Sequence, residues 1–334
     1  MKEIFATLGP ACREKDILKE MFKRGMDGMR LNLSHTTLKE SADLLKTYHQ
    51  AAAEAGKQAE LLIDLQGPEL RTAKPAGPVI LAEGEKAVFT AAAGKEIVLP
   101  ETVFSALETG DILLIDDGTI ECRIETKEDN MVTGAVLRGG TLNARKSVKV
   151  IGKDLAGPLL TEEDMENIRH MKEYGVTAVM QPFVTDGAQL SQLRQILDKN
   201  DGREVRIFAK IENRRGIREL ASITEHADMI VIARGDLGND MPLWQLPRAQ
   251  KEIEDVCLAR GVPFLVVTQM LASMIHSPVP TRAEVSDIFR AVTEGASALM
   301  VTNETAVGEY PAEVIRYLKN TSLSAEEYLR KRGL

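Results

Sequence analysis

Short apolar or β-branched runs alternate along the chain with longer stretches in which apolar residues recur every three or four positions. The first kind reads as strands and the second as amphipathic helices, and their regular alternation predicts parallel strands joined by crossover helices. Strands are predicted in KEIFATL, GMRLNLS, ELLIDLQ, VTAVMQPFV, VRIFAKIEN, ADMIVIA, PFLVVTQ and SALMVTN. Helices are predicted in DILKEMFKRG, TLKESADLLKTYHQAAAEAG, TEEDMENIRHMKEYG, AQLSQLRQILDKN, RGIRELASITEH, LPRAQKEIEDVCLARG, RAEVSDIFRAVTEG and PAEVIRYLKNTSLSAEEYLRK, several of them stopping at glycine. Eight strand-and-helix units predict an α/β fold, a closed (β/α)8 TIM barrel with its chemistry at the carboxyl ends of the strands. An open doubly wound sheet is the competing arrangement, but no GxGxxG follows the first strand.

One connection breaks the rhythm. From residue 73 to 153, short alternating runs, frequent Gly and Pro, and pieces such as ILLIDDGTIECRIE and NMVTGAVL predict a small β domain inserted after the third strand. Residues 1–72 and 154–334 are then the barrel, and the insertion is expected to act as a lid on the active-site face.

Composition narrows the choices. A chain of 334 residues with 44% hydrophobic content can fill a large barrel and an inserted domain. Its 42 basic against 50 acidic residues leave a net charge of −8, the basic residues form no stripe, and aromatics are only 4%, which argues against a nucleic-acid partner. Cys12, Cys122 and Cys257 are odd in number and widely spaced, fitting neither a disulfide framework nor a zinc site, so reduced thiols in a cytoplasmic protein are expected. The opening MKEIFATLGP reads as a strand and turn rather than a secretory leader. No apolar run approaches the roughly 18 residues of a membrane span.

The predicted strand ends carry an unusual set of side chains: Arg30, Asn32, Ser34 and His35; Asp64, Glu69 and Arg71; Lys210 and Glu212; Arg234 and Asp236; Thr268 and Gln269; Thr302 and Glu304. Charges this dense at one rim cost desolvation energy unless they meet a ligand or one another. Glu212 and Asp236, on adjacent strands, offer oxygen ligands to a hard divalent cation such as Mg²⁺. Arg30, Arg71 and Lys210 supply positive charge for an anion, so a phosphorylated or carboxylated substrate is expected. Within IVIARGDLGND, Gly235 and Gly238 allow close backbone approach and amides turned toward an anion; taken alone, the stretch also reads as a strand-to-helix turn capped by Asp236.

The motifs RLNLSH, DLQGPELRT, IDDGTIE, ARKSV, LLTEED, KIENRRGI, ARGDLG, TQML, PTRAEVSD and ETAVGEYP resemble those of the pyruvate kinase family, in that family's order and across essentially the whole chain. The resemblance implies a barrel with a β lid after the third strand, and phosphoryl transfer from phosphoenolpyruvate to ADP with Mg²⁺ (or Mn²⁺) and K⁺. It implies that Glu212 and Asp236 ligate the divalent cation, that Lys210 stabilises charge during transfer, and that Arg30 touches the same phosphoryl group. The amides of Gly235 and Asp236 and the Thr268 hydroxyl would hold the substrate carboxylate, and Asn32, Ser34, Asp64 and the carbonyl of Leu65 would surround K⁺. Lys146, Arg71, Arg30 and the turn at Pro10 would meet the nucleotide phosphates, with His35 nearby, and Thr302 stands where the family has a serine implicated in protonating the enolate.

Departures from the family pattern accompany these matches. DTKGPE reads DLQGPE, with Leu65 and Gln66; ASF reads QPF, with Gln181 and Pro182; SHG reads SHT, with Thr36; LSGET reads VTNET, with Thr302 and Asn303. Together they leave open an altered acceptor, an altered substrate or slow turnover. The sequence ends at Leu334, so the resemblance implies a chain without the family's carboxyl-terminal effector domain, and whether it forms a homo-oligomer stays open. Two other readings remain: a metal-dependent lyase or related enolate-forming enzyme, which needs no nucleotide, and a non-catalytic sensor of phosphoenolpyruvate or nucleotide. His49, His170 and His226 are expected to be surface or packing residues, Cys122 and Cys257 packing thiols, and Trp244 an anchor for the sixth helix.

Overall fold

The computed structural model describes residues 2–73, 77–92, 97–116, 118–143, 145–153, 155 and 157–333. The chain divides into two compact units, one of Met1–Gln66 with Leu160–Leu334 and one of Gly67–Leu159. Asp117 of IDDGTIE and Ala144 of ARKSV lie outside the described residues.

The first unit is a closed barrel of eight parallel strands: β1 (Glu3–Thr7), β2 (Gly28–Asn32), β3 (Glu60–Asp64), β4 (Ala178–Gln181), β5 (Arg206–Ile211), β6 (Met229–Ala233), β7 (Phe264–Val267) and β8 (Ala298–Met300). They pair in sequence order, and β8 returns to β1 through the register Glu3 with Ala298. Alternate residues face opposite ways along a strand. Phe5, Leu62, Met180, Phe208, Val231, Leu265 and Met300 fill one cluster, the barrel interior. Their neighbours Ile4, Ile63, Ile207, Ile232, Val266 and Leu299 pack outward with helix residues such as Leu45, Leu193, Ile253 and Ile315. Burial on both faces is why these strands read as unbroken apolar runs.

Helices stand in all eight predicted segments, with three differences of detail. The second helix spans Ala42–Glu54 rather than starting at Thr37, because Thr37 and Glu40 exchange side-chain-to-amide hydrogen bonds (3.0 and 3.1 Å) that compete with helix formation. RGIRELASITEH breaks at Glu219 into Arg214–Arg218 and Leu220–Ile223. TEEDMENIRHMKEYG is helical only over Glu162–His170, its start fixed by a capping box between Thr161 and Asp164. Trp244 corrects an expectation: the 3-10 turn Leu243–Gln245 carries its ring outward, 81% exposed, and Ala249, Ile253 and Cys257 anchor the helix Leu246–Arg260 instead.

The second unit contains a two-stranded ladder, Val79–Leu81 with Gly140–Leu142, and a six-stranded sheet. Strands Ile112–Ile115, Ile120–Lys127, Val132–Arg138 and Lys86–Thr90 form the antiparallel centre of that sheet. Phe89, Leu113, Ile115, Ile120, Ile124 and Val136 give it a core of its own. Among the described residues, no helix is long and apolar enough to cross a membrane.

Candidate active site

The inward alternation of the barrel strands continues past their carboxyl ends. Thr7 follows Phe5 by two positions, Asp64 follows Leu62, Lys210 and then Glu212 follow Phe208, and Thr302 follows Met300. A single period-2 rule therefore turns five polar side chains toward one mouth, continuing the series of the apolar interior.

There the charges meet. Lys210 Nζ lies 2.9 Å from Glu212 Oε1 and 3.3 Å from Asp64 Oδ2. Arg30 reaches the same Asp64 oxygen through Nε and Nη2, both at 2.7 Å, and its Nη1 lies 3.4 Å from Thr7 Oγ1. The Phe183 amide, from a residue with φ of +50°, donates to Glu212 Oε2 at 2.7 Å. Asp64 and Glu212 are almost wholly buried.

Two buried carboxylates thus share one ammonium. Burial opposes ionisation of Asp64, but Lys210 and Arg30 outweigh it and hold the carboxyl below its usual range. Burial likewise disfavours the Lys210 ammonium, yet Asp64 and Glu212 push its pKa up, so the lysine stays charged. Glu212 has no second cation; burial, only partly offset by Lys210 and reinforced by Asp236, pushes it up to about 8. A carboxylate in that condition favours another positive charge beside it. Glu212 Oε1 is buried and makes no well-aligned hydrogen bond, so the donor set of Glu212 and Asp236 fits a hard divalent cation. Among the described residues no three His, Cys, Asp or Glu side chains form a metal-holding group. Such a cation would draw its remaining oxygens from substrate and water.

Asn32 and Asp64 are register partners on β2 and β3. Asn32 Oδ1 accepts the Ser34 amide at 3.2 Å, and the Asp64 carbonyl accepts the Leu33 amide at 3.0 Å. Asp64 Oδ1 is buried without a hydrogen-bond partner. The unsatisfied Asp64 oxygen and the neighbouring Asn32 side chain are hard oxygen donors of the kind that suit a hard cation.

On the opposite side of the mouth, Gly235 lies in the short helix Arg234–Asn239. A Cβ at Gly235 would stand 3.1 Å from Thr268 Cγ2, so this glycine lets the Thr268 side chain close on the backbone that begins ARGDLG. Asp236 follows in the first turn of that helix. Thr302 is held by Glu304, whose carboxylate also accepts the amide of Leu271.

Of the residues assigned to nucleotide, Pro10 opens the 3-10 turn Pro10–Cys12, and the His35 amide donates to the Asn32 carbonyl at 3.2 Å; both belong to the barrel unit. Arg71 and Lys146 belong to the second unit, where their segments pair: Thr72 and Lys146 exchange hydrogen bonds, and Arg71 bridges to Ser147. Arg71 is ion-paired with Glu69, and its Nη1 donates to the Arg145 carbonyl at 2.8 Å. Lys146 Nζ lies 2.7 Å from Asp116. The Gln66 amide nitrogen is engaged structurally, donating to the Leu33 carbonyl at 3.0 Å and to Glu163 at 2.6 Å. Gln181 is fully buried at the end of β4.

Sequence reasoning gave no role to Phe183, Asp287 or the Glu304 carboxylate. A main-chain amide such as that of Phe183 carries no side-chain signature, whereas Glu304 and Asp287 stand in the quoted motifs ETAVGEYP and PTRAEVSD. His49 bonds to the Tyr174 carbonyl, His170 to Glu166 and Glu173, and His276 to Glu309.

Comparison with known proteins gives the family. Residues 1–315 match the family described as pyruvate kinase, barrel domain. The chain is 36% identical over 327 residues to a pyruvate kinase of Aeropyrum pernix, covering 98% of this chain and 71% of the relative. It is 34% identical over 337 residues to that of Thermococcus litoralis, covering 99% and 71%. Against that of Bacillus licheniformis it is 33% identical over 340 residues, covering 99% of this chain but only 58% of the longer relative. With a matching eight-stranded barrel, these similarities show that the chain belongs to the pyruvate kinase family.

Proposed function

We propose that the chain transfers the phosphoryl group of phosphoenolpyruvate to ADP, yielding pyruvate and ATP. The observation that carries this reading is the buried ammonium of Lys210, set between Asp64 and Glu212 with Arg30 on the same Asp64 oxygen. A fixed, desolvated cation stabilises charge on a transferring phosphoryl group without reorganising, which is where such reactions gain most of their rate.

In this reading Lys210 and Arg30 bind the phosphoryl oxygens, and the amides of Gly235 and Asp236 with the Thr268 hydroxyl orient the carboxylate. Glu212 and Asp236 hold Mg²⁺ or Mn²⁺, which when bound neutralises substrate charge. Asn32, Ser34, Asp64 and the Leu65 carbonyl hold K⁺. Pro10, His35, Arg71 and Lys146 receive the nucleotide. An oxygen of ADP bonds to phosphorus as the bond to the enol oxygen breaks, and the enolate carbon then takes a proton through Thr302. The inserted unit, residues 73–153 in this reading, acts as a lid that keeps water from the phosphoryl group. Three buried, unpaired cysteines suit a reducing cytoplasm.

The test is pyruvate release from phosphoenolpyruvate, followed together with ATP formation, in Mg²⁺ and K⁺ with and without ADP. Stoichiometric pyruvate and ATP that require ADP support the proposal. Pyruvate released without ADP assigns a lyase or hydrolase instead, and binding without turnover assigns a sensor.

A further inference from the structure

Thr268 and Gln269 have φ of +80° and +54°, the only two consecutive non-glycine residues of positive φ among the described residues. For a β-branched residue this is a strained conformation that persists only where its surroundings over-determine it. One side chain makes most of the polar contacts to this backbone. Arg234 donates from Nε to the carbonyls of Val267 (3.3 Å) and Thr268 (3.2 Å), and from Nη2 to the Thr268 carbonyl again at 2.7 Å. Its remaining nitrogen, Nη1, lies 2.6 Å from Asp287 Oδ2, and the Arg234 side chain is only 12% exposed. The guanidinium therefore spends most of its donors on the backbone that carries Thr268, with Nη2 also 2.9 Å from Met270 Sδ, and Asp287 fixes its plane.

We propose that Arg234 is a positioning residue for substrate binding: it locks the left-handed Thr268 backbone so that the hydroxyl is presented beside the Gly235 backbone, and Asp287 orients it for that task. The proposal rests on the reading of the site given above, in which Thr268 meets the substrate carboxylate. Arg234 touches no reacting atom; it acts through Thr268. The side chain has to be arginine, because a planar fork can serve one carbonyl twice and a carboxylate at once, whereas a lysine ammonium is a point charge that cannot hold the plane.

The test compares steady-state kinetics of Arg234→Lys, Asp287→Asn, Thr268→Ala and the double variant Arg234→Lys/Thr268→Ala with the wild type. Arg234→Lys is expected to raise the KM for phosphoenolpyruvate by about tenfold or more while leaving the KM for ADP within about twofold, because the loss is confined to one substrate's site. Asp287→Asn should move the same constant in the same direction by less. The double variant should be no worse than Thr268→Ala alone, since a residue acting only through Thr268 has nothing left to position. An unchanged phosphoenolpyruvate KM, an equal rise for ADP, or losses that multiply in the double variant would each overturn the inference. If Arg234→Lys does not fold, Asp287→Asn decides by the same split. If the wild type fails to turn over phosphoenolpyruvate, the functional reading has failed, and the positioning role is judged by the crystal structure of Arg234→Lys: Thr268 leaving the left-handed region supports it, and Thr268 unmoved overturns it.

Discussion

Glu304 grips Thr302 twice, accepting its amide at 2.7 Å and its hydroxyl at 3.2 Å on the same Oε2. The other oxygen, Oε1, accepts the Leu271 amide at 3.2 Å, and the residue is 1% exposed. One carboxylate thus joins the end of β8 to the segment after β7, and it aims the Thr302 hydroxyl. Glu304→Gln places an amide donor against one of these N–H groups, and a loss of about 1–3 kcal/mol in stability is expected, read by denaturant unfolding.

Thr302 itself is tested by Thr302→Val, which keeps the shape and removes the hydroxyl. If the hydroxyl delivers the proton, pyruvate formation slows by about a hundredfold, the low end of general-acid effects. Thr302→Ser should retain most of the rate. Equal rates for valine and serine would assign the proton to another group.

Lys210 and Glu212 make opposite predictions. Lys210→Met removes the cation facing the phosphoryl group, and turnover should fall by at least about 10²–10³-fold. Mn²⁺ binding, followed by electron paramagnetic resonance, should persist, because a repelling ammonium has gone from beside Glu212. Glu212→Gln should abolish that Mn²⁺ signal change. Retention of metal binding by the glutamine variant would remove Glu212 from the ligand set.

Gly9 packs against the helix Asn303–Ala306, where a Cβ would lie 2.5 Å from the Ala306 carbonyl oxygen and 2.7 Å from its Cα. Backbone cannot yield there as a flexible side chain would. Gly9→Ala should cost about 1–3 kcal/mol by overpacking and shift the Pro10 turn, raising the KM for ADP more than that for phosphoenolpyruvate. A calorimetric melt and the two Michaelis constants check it.

Glu254 is 1% exposed in the helix Leu246–Arg260; its Oε1 accepts from Gln250 at 2.8 Å, and its Oε2 has no hydrogen-bond partner. Burial raises its pKa. A raised folded-state pKa contributes stability that is complete below the ordinary carboxylate range and is lost as pH rises through the folded value. Glu254→Gln should therefore raise the melting midpoint at pH 8, by about 2–4 °C if about 1 kcal/mol is recovered, and by less at pH 4.5. The same shift at both pH values would show that ionisation is not the cause.

The barrel was legible because each strand is buried on both faces, so that VRIFAKIEN and ADMIVIA stand out from their surroundings as apolar runs ending abruptly in charge. Counting two residues on from the apolar interior is enough to gather Asp64, Lys210, Glu212 and Thr302 at one mouth. Nothing in the sequence says that Asp64 pairs with both Arg30 and Lys210, since that depends on side-chain reach across strands 34 and 146 residues apart. The break at Glu219 and the outward turn of Trp244 were hidden for a different reason: local helical spacing is intact in RGIRELASITEH, and aromaticity alone does not say which way a turn will face. The left-handed Thr268 leaves no mark either, because a threonine is an improbable residue for that conformation and only the distant Arg234 explains it.

Ring closure gives this chain an awkward birth order. β1 needs β8 as a neighbour, and β3 needs β4, yet a ribosome delivers Ala298 long after Glu3 and places all of Gly67–Leu159 between Leu62 and Ala178. The earliest parallel ladder must wait with bare edges, the situation in which nascent polypeptides fold slowly and stick to one another. The insertion has its own apolar centre and can settle during that wait, while the edge of β3 stays bare until Ala178 arrives and that of β1 until Ala298.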